Sequence, residues 1–429
     1  MQLRLATRSS KLGFAAVCLA VTALNFGLAL RGYLASRFAA TPKPESLELA
    51  AQLEPGNASH RSRLGRYYVL AGNQLETGIA SFQAAARLNP FEARHWLDLA
   101  MAYQISGDQE SVDRALQHAL QVEPTSPRIA WEAANLYVLQ GHLERTLPLL
   151  KSVLQRDPFS APSVVELGWK ATRDVDLLFQ KALPQDARVY LALLSVLLRY
   201  DEAQAADSVW SRAMGLRQPF PLHLAVPYLN FLVSHREGGK ARKAWEDLAR
   251  FDEKISAGIE AGNLVVNGGF EAEILQFGLD WRLRPVPGVQ AVLDASESHA
   301  GRRSLKITWD GAHIPEAGVV QLIPLDPDSR YLFSAYVKTA EMSSVANPRL
   351  LLLEALHGTR FFLSEELSGT EPWHRVSGEL VTSPETRFAA LKMVREPYPG
   401  QARGSLWLDD VRLEKVGDTS SPGGSPTAP

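Results

Sequence analysis

The sequence contains almost no cysteine. Its single cysteine, Cys18, lies inside the longest apolar run of the chain. The part of the chain beyond that run therefore cannot form an internal disulfide, which excludes a small disulfide-stapled domain. Val17, rather than a small residue, precedes Cys18, and this argues against a lipid-modified cysteine.

A surplus of either charge is also missing. Lysine and arginine number 45 against 47 aspartate and glutamate residues, and the formal net charge is −2. This balance gives no electrostatic footprint for binding nucleic acid. Hydrophobic residues make up 46% of the chain, which excludes general disorder.

Catalytic motifs are absent as well. We find no G-x-S-x-G, no H-E-x-x-H, no phosphate loop and no G-x-G-x-x-G followed by a helix. The adjacent pairs Glu365–Glu366 and Asp409–Asp410 do not form an acid–base pair, because neighbouring residues of a strand point to opposite faces. We therefore expect a protein without catalytic activity.

The N-terminal region carries a long uncharged segment. Leu12 to Leu30 is 19 residues without a charge, enough to cross the core of a bilayer. Basic residues lie on both sides, so the positive-inside rule decides only weakly, and the short basic leader favours a cytoplasmic N-terminus. The flanking basic residues are Arg4, Arg8 and Lys11 before the segment, and Arg31, Arg37 and Lys43 after it.

A cleaved signal peptide is the alternative reading of this segment. Signal peptides have shorter apolar regions, of about 7–15 residues, and an A-x-A-like cleavage site. The triplets at residues 35–37 and 38–40 match such a site poorly. We therefore favour an uncleaved anchor at 12–30, with a leader at 1–11 and a spacer at 31–45. The expected location is the bacterial inner (cytoplasmic) membrane, with a single pass and the soluble part exported to the periplasm or cell surface.

Four prolines punctuate the next part of the chain at a nearly constant interval. Pro55, Pro90, Pro124 and Pro158 are separated by 35, 34 and 34 residues. A fixed period of this size is typical of stacked repeats, in which no single unit can bury its own hydrophobic face.

The residues between the prolines identify the repeat. The segment before Pro124 carries a series of apolar and small residues at the spacing W-x2-L-G-x2-Y, A-x3-F and terminal P. On these residues the chain resembles the tetratricopeptide repeat (TPR) family, with weaker copies on either side. The series is Trp96, Leu99, Ala100, Tyr103, Gly107, Val112, Leu116, Ala119 and Pro124.

The resemblance implies stacked helical hairpins, here an α-solenoid over residues 46–251, whose groove docks a protein partner. Beyond Pro158 the motif decays, although further helical phrases continue to Phe251. Polar residues near the first-helix positions either line the groove or form a solvated face. These are Arg63, Arg66, Arg94, Asp98, Glu132 and Asn135.

The composition changes after residue 251. Residues 252–262 form a polar segment with two glycines, which predicts a linker. Short phrases with β-branched, aromatic or alternating character follow, separated by turn residues and with no helix between them, and they predict an antiparallel β-sandwich. The phrases are residues 305–308, 319–323, 331–338, 349–356, 388–394 and 405–413.

A series of phrases in this region resembles the carbohydrate-binding modules with a galactose-binding-like jelly-roll fold. The resemblance covers residues 263–416. It is carried by Asn263 to Glu271, Trp281, His299 to Gly301, Tyr331 to Ser334, Trp373 and Leu408 to Val411.

The same resemblance implies a structural calcium ion where the first and last strands meet. The matching positions are Gly269, through its carbonyl, with Glu271 and Asp409 or Asp410. Calcium binds several oxygen ligands including carboxylates, and strand alternation favours Asp409. The alternative is a strand-end turn with solvated acids.

Glycan contacts require exposed aromatic rings with polar neighbours. Trp281, Tyr331, Trp373 and Trp407 match positions that pack in the family. The remaining candidates either contact a glycan or are packed rim residues. The aromatic candidates are Trp309, Tyr336, Phe361, Phe362 and Tyr398, and the polar ones are Glu354, His357, Arg360, Lys392 and Arg395.

These features together predict a non-catalytic, membrane-anchored bacterial envelope adaptor. Its solenoid would dock a protein and its sandwich would bind a glycan, for example in polysaccharide assembly or export. One alternative is a protein–protein scaffold whose sandwich does not bind sugar, and another is an accessory subunit of a glycan-processing enzyme. The Ser-, Pro- and Gly-rich tail at 417–429 is expected to be disordered.

Overall fold

The computed structural model describes residues 8–396 and 400–418. The chain separates into two compact units, Met1–Val196 and Leu197–Pro429. The first unit is helical, and the second contains four further helices followed by a β-sandwich. The predicted fold class, an apolar N-terminal helix with an α-solenoid and an antiparallel jelly roll, is confirmed.

The first helix, α1, spans Arg8–Ala39. Among the described residues it is the one helix long and apolar enough to cross a membrane, although a signal sequence has the same properties. Its apolar side chains are exposed up to Leu34, whereas Ala35 and Ala39 are buried. Arg63 also donates to the Ala39 carbonyl over 3.2 Å. Most of the predicted spacer at 31–45 is therefore helix that packs on the next element.

The first unit continues as a series of antiparallel helical hairpins. The helices end just before Pro55, Pro90 and Pro124, as the period predicts, and Pro158 begins a short 3-10 turn. The helices are α2 Pro44–Leu53, α3 Ala58–Leu70, α4 Leu75–Leu88, α5 Ala93–Ser106, α6 Gln109–Val122, α7 Pro127–Leu139, α8 Leu143–Arg156, α9 Ala161–Thr172, α10 Val175–Lys181 and α11 Ala187–Arg199, which runs into the second unit.

The motif residues of the repeats form the core of the first unit. Leu99, Ala100, Val112, Leu116 and Ala119 are all buried in one cluster. That cluster also takes Phe82 from the preceding hairpin and Tyr137 from the following one, so each repeat is covered by its neighbours.

The second unit begins with the helices α12 Ala203–Gly215, α13 Val226–Ser234, α14 Gly238–Ala249 and α15 Glu253–Ser256. Pro227 lies in the first turn of α13, where its missing N–H leaves no helical hydrogen bond unmade. The short helix α15 lies within the segment 252–262 that the sequence suggests as a linker.

In the part of the chain that the structure describes, ten strands form the sandwich, and all of their pairings are antiparallel. Sheet A has the order β1-β4-β9-β6-β7, and sheet B the order β2-β3-β10-β5-β8. The strands are β1 Arg282–Leu283, β2 Val289–Asp294, β3 Ser304–Ala312, β4 Glu316–Pro324, β5 Ser329–Ser344, β6 Arg349–Glu354, β7 Arg360–Leu363, β8 Gly369–Val381, β9 Phe388–Val394 and β10 Ala402–Asp418.

Large apolar side chains from both sheets fill the space between them. Trp281 and Tyr331, expected to be packing residues, are buried there together with Phe270 and Phe333. On sheet A the inward side chains are Val319, Ile323, Leu352, Ala389 and Leu391, and the residues that alternate with them point to the outer face of the sheet. That outer face carries the candidate site.

Candidate functional site

Strand register places two rows of residues on the outer face of sheet A. In one row Val320 of β4 lies opposite Lys392 of β9, and Leu351 of β6 lies on the other side of Lys392. In the other row Ala390 lies between Leu322 and Leu353. The alternate residues of these strands point into the core, so the two rows form an aliphatic surface on the opposite side.

A cavity of about 200 Å³ lies over this surface. Its floor includes Val320, Leu322 and Ala390, and its rim includes Arg282, Arg284, Glu316 and Lys392. A second cavity of about 290 Å³ adjoins it and shares the residues Leu322 and Ala355. We refer to the two cavities together as the outer-face groove.

One wall of the second cavity comes from a helix and not from the sandwich. Val233 and Ser234, at the end of α13, and Arg236, just beyond it, line this cavity. Opposite them lie Leu356, Glu385 and Phe388 of the sandwich. The outer-face groove is therefore built jointly by the helical hairpin α13–α14 and sheet A.

Close contacts hold this hairpin against the sandwich. A Cβ at Gly238, the first residue of α14, would lie 2.5 Å from the carbonyl oxygen of Arg387, so only glycine fits there. Arg242 of α14 donates to the Pro324 carbonyl over 2.7 Å. The Trp245 ring packs on Phe277 with 5.5 Å between the centroids.

Some charged side chains of the groove form ion pairs or hydrogen bonds within the protein, and others do not. Lys392 lies 3.0 Å from Glu316, which neutralises both. Arg282 donates one N–H to the Gly278 carbonyl over 3.3 Å. Arg284 is exposed, and within the described part of the chain its guanidinium has no hydrogen-bond or ion-pair partner.

No exposed aromatic ring lines the groove in the part of the chain that the structure describes. Phe388 is the one aromatic residue among the described lining residues, and it is 5% exposed. The groove therefore offers aliphatic contact and charged hydrogen-bonding groups instead of a ring on which a sugar could stack.

Two of the predicted glycan contacts lie in the groove. Lys392 lines the first cavity and Glu354 the second. The Glu354 carboxylate accepts hydrogen bonds from the backbone N–H groups of Leu356 and His357, so it shapes the loop after β6. Arg360, on β7, pairs instead with Glu396 over 2.8 Å and does not line either cavity.

Two other candidates prove to be buried, and this corrects the prediction that they lie at the surface. Trp309 is 2% exposed, because it continues the inward alternation of Leu305 and Ile307 on β3. Arg395 is 1% exposed, and its guanidinium donates to the carbonyls of Ala346, Ile314 and Gly400 and to Ser344. Neither side chain can contact a glycan without rearrangement of the fold.

The remaining aromatic candidates are separated from the groove. Tyr336 lies on sheet B, stacked on His299 with 3.5 Å between the ring centroids, and Trp373 lies 5.9 Å from the same histidine ring. Phe361 and Phe362 pack against the core of the sandwich. Tyr398 lies outside the described residues.

The predicted calcium ligands converge on one loop. Glu271 accepts hydrogen bonds from the N–H groups of Arg302 and Arg303, at 2.6 and 3.0 Å. Asp409 accepts from those of His299 and Ala300, at 2.7 and 3.2 Å. Asp410 pairs with the His299 ring over 2.6 Å. Gly269 lies two residues before Glu271.

These contacts leave the arrangement a poor fit to calcium. The carboxylates of Glu271 and Asp409 accept hydrogen bonds from peptide N–H donors, whose partial positive charge repels a cation. Nor do the described residues contain a group of three or more His, Cys, Asp or Glu side chains placed to hold a metal ion. Calcium at this loop remains a prediction from the sequence resemblance.

The polar residues predicted for the solenoid groove are largely paired with one another. The buried Asp98 of α5 accepts hydrogen bonds from Ser62 and Arg66 of α3, at 2.8 and 2.7 Å. Arg94 bridges Asp98, at 3.1 Å, and Glu132 of α7, at 2.7 Å. This polar network ties together the first helices of three consecutive hairpins.

Replacing Asp98 with alanine is expected to destabilise the first unit by about 2 kcal/mol, because several charge-assisted hydrogen bonds to one buried carboxylate are lost. The half-buried Arg66 and Arg94 side chains keep access to water, which limits the effect. Urea unfolding followed by circular dichroism measures the change. Glu110→Ala, which removes an exposed pair with Arg114, is the control and should cost less than about 0.5 kcal/mol. Equal effects of the two variants would contradict the role of the network.

The carbohydrate-binding-module family model CBM_4_9_1, described as BppA domain 1, matches residues 299–413. The C-terminal domain is therefore carbohydrate-binding-module-like, as the sequence phrases indicate. No curated protein matches the chain.

Solved structures resemble each part of the chain. A CBM4 module is 15% identical, with a TM-score of 0.28, and the alignment covers 35% of this chain and 99% of the module. TmCBM61, solved in complex with β-1,4-galactotriose, is 18% identical, with a TM-score of 0.26 and coverages of 36% and 98%. MamA is 13% identical, with a TM-score of 0.26 and coverages of 41% and 86%.

Proposed function

We propose that this protein is a non-catalytic adaptor that binds a glycan in the outer-face groove. The observation that carries the proposal is the groove itself: a concave aliphatic floor with convergent polar groups on a carbohydrate-binding-module-like sandwich. Its volume and its mixture of apolar and polar lining suit a few sugar units. The match of a carbohydrate-binding-module family model to residues 299–413 supports a glycan as the class of ligand.

Filling the groove tests this proposal. Ala390 lies in the middle of the floor, between Leu322 and Leu353, so Ala390→Trp would occupy the space available to a sugar. We expect affinity for a bound glycan to fall at least about tenfold, or 1.4 kcal/mol. The measurement is a glycan-array screen followed by titration calorimetry with the full chain in detergent.

Ser377→Trp is the matched control, because Ser377 is exposed on β8 of sheet B. Thermal melting of both variants establishes that they are folded. If Ser377→Trp and Ala390→Trp bind equally well, the site lies elsewhere. If the wild-type chain binds no glycan on the array, the proposal is wrong.

The helical unit would supply the second binding activity of the adaptor, the docking of a protein. In support, large aliphatic residues are exposed at the same position of three consecutive hairpins. Leu70, Ile105 and Leu139 each lie at or next to the end of a first helix, and they are 70%, 56% and 70% exposed. Crosslinking in cells tests this docking. Photoreactive groups at these three positions should trap one protein. If they trap none, the helical unit does not dock a protein on this surface.

Helix α1 would anchor the adaptor in the bacterial inner membrane, with the soluble part exported. Its length and hydropathy support a membrane span, and the helix continues without interruption to Ala39 at the first hairpin. Membrane extraction at high pH and the mass of the mature N-terminus distinguish an anchor from a cleaved signal peptide. Release of a chain lacking α1 would exclude the anchor.

A structural calcium ion held by the Gly269 carbonyl, Glu271 and Asp409 or Asp410 is a further part of the proposal. It rests on the sequence resemblance alone, since the backbone N–H groups that donate to Glu271 and Asp409 do not favour it. Calcium bound only by the folded chain would raise its melting temperature. Melting in calcium and in EDTA, with Asp409→Asn as the variant that removes a ligand, provides the test. Identical curves for the wild-type chain under both conditions would remove calcium from the proposal.

One observation favours a second candidate function, a protein scaffold whose sandwich binds no sugar. Among the described residues the outer-face groove presents no exposed aromatic ring. An aliphatic groove walled by a helix could equally hold an apolar peptide segment. A crosslinked protein at Leu353, together with a negative glycan array, would favour this scaffold over the glycan adaptor.

A further inference from the structure

The first cavity of the outer-face groove carries a surplus of positive charge. Three cationic side chains line it, Arg282, Arg284 and Lys392, against the single carboxylate of Glu316. The Glu316 carboxylate forms an ion pair with Lys392 over 3.0 Å. The two arginines therefore have no carboxylate partner among the described residues that line this cavity.

The two arginines are arranged to act together. Arg282 opens β1 and Arg284 follows two residues later, so both side chains lie on the same side of the chain. Arg282 lies opposite Val320 in the strand register, at the edge of the aliphatic floor. Within the described residues its guanidinium makes one hydrogen bond, to the Gly278 carbonyl, which leaves further N–H donors for a ligand.

The second cavity, by comparison, is lined by equal numbers of positive and negative side chains. Arg236 and Arg387 line it together with Glu354 and Glu385, so its formal charges cancel. The positive surplus is therefore confined to one end of the groove, next to β1. A ligand that spans both cavities would meet an anion-binding end and a neutral end.

The aliphatic floor of the groove also favours a charged ligand over a neutral sugar. Val320, Leu322 and Leu353 offer aliphatic contact, and no exposed aromatic side chain from the described residues lies in the groove. A neutral sugar held without ring stacking loses a main source of its affinity. Charge-assisted hydrogen bonds from guanidinium to carboxylate are stronger than neutral ones and can be bidentate.

We propose that the outer-face groove binds an acidic glycan, with a sugar carboxylate paired to Arg282 and Arg284 and the neighbouring sugar units on the aliphatic floor. This inference rests on the proposed glycan-binding function and specifies its ligand class. The shared chemistry is a carboxylate-bearing sugar, such as a uronic acid.

Titration calorimetry with the full chain in detergent tests the inference. The probes are hexamers of galacturonate, mannuronate and glucuronate, each paired with its carboxyl-reduced form of the same linkage. We expect at least one uronate to bind about tenfold more tightly than its reduced form. The preference should shrink when the salt concentration is raised from 50 to 500 mM, roughly as screening of exposed charges requires.

Arg284→Gln should reduce uronate affinity about tenfold and should weaken binding of the reduced hexamer clearly less. Arg375→Gln is the matched control, since Arg375 is exposed on β8 of sheet B and the substitution removes the same charge. An equal effect of the two variants would overturn the inference.

The possible failures are distinguishable. If reduced hexamers bind as tightly as uronates and Ala390→Trp abolishes both, the glycan site stands and the acidic preference is wrong. If neither form of any hexamer binds and the glycan array is negative, both the acidic preference and the proposed function are wrong.

Discussion

Replacing Trp245 with alanine is expected to lower the free energy of unfolding of the second unit by about 3–5 kcal/mol, in the range for a large buried aromatic side chain. Trp245 is 2% exposed and carries the contact of α14 with the loop before β1. A Cβ at Gly278 would lie 2.3 Å from the Trp245 ring, so the loop and the ring are in direct contact.

The effect should also show whether helices and sandwich unfold together. Because the hairpin α13–α14 and the sandwich share this buried contact, we expect one cooperative transition in residues 197–429 of the wild-type chain. Urea unfolding followed by tryptophan fluorescence and by far-ultraviolet circular dichroism measures the transition. The two probes should coincide.

Trp373→Ala is the control, because this half-buried side chain lies on the outer face of sheet B. Trp373→Ala should lower the free energy of unfolding of the second unit clearly less than Trp245→Ala does. A Trp245 variant as stable as the control would show that the hairpin is not held by this contact. Weakened glycan binding in a folded Trp245→Ala protein would further support the α13 wall of the outer-face groove.

A second large effect is expected at Asp280, whose replacement by asparagine should stabilise the second unit at pH 7 by about 1–2 kcal/mol. Removal of the buried charge is favourable, and the unpaired amide N–H₂ of asparagine offsets part of the gain. Burial raises the pKa of Asp280 to about 6, although the backbone N–H groups of Leu275 and Trp281 act in the opposite direction. One carboxylate oxygen accepts a hydrogen bond from the Leu275 N–H over 2.6 Å, and the other has no hydrogen-bond partner among the described residues.

The direction of the pH effect follows from this raised pKa. The pKa of Asp280 is near 3.8 in the unfolded chain and about 6 in the folded chain, so the folded chain binds the proton more tightly. The contribution of Asp280 to the free energy of unfolding is therefore most favourable below about pH 4 and is lost as the pH rises through 6. Wild-type stability should include a component that falls between pH 4 and pH 7, and Asp280→Asn should remove that component.

Urea unfolding at half-unit steps from pH 4 to pH 8 measures this component. Asp409, whose pKa burial also raises to about 6, adds a separate component that Asp280→Asn leaves in place. Asp310→Asn removes an exposed carboxylate of β3 and serves as the control. A pH profile of Asp280→Asn that parallels the wild type would show that this carboxylate is solvated in the folded protein.

Periodicity predicted much of the architecture. The proline interval and the motif around Trp96 to Ala119 correctly placed the hairpins, because each repeat packs mainly on neighbours that are close in sequence. The strands β3, β4, β5, β6, β9 and β10 were predicted from alternation or β-branched content. The edge strands of both sheets were not predicted. β1 and β7 are two and four residues long and too short to show a pattern, and β2 and β8 were missed as well.

The candidate site was predicted less well, and Trp309 shows why. Alternation assigns residues to two sides of a strand, but it does not say which side is covered by the other sheet. Residues 319–323 are almost continuously apolar, so the outward Val320 and Leu322 could not be told from their inward neighbours. The one available signal was the alternation of Arg282 and Arg284 around Leu283, directly after the packed Trp281.

The sequence by itself determined the apolar N-terminal helix, the repeated hairpins and the β character of the C-terminal region. These depend on periods and runs that are local in the chain. Only the tertiary structure decided that Ala390, Leu322 and Leu353 form one floor, that Arg395 is buried, and that α13 supplies a wall of the outer-face groove. Those arrangements join segments tens of residues apart, and strand pairing and packing set them through contacts that no local pattern records.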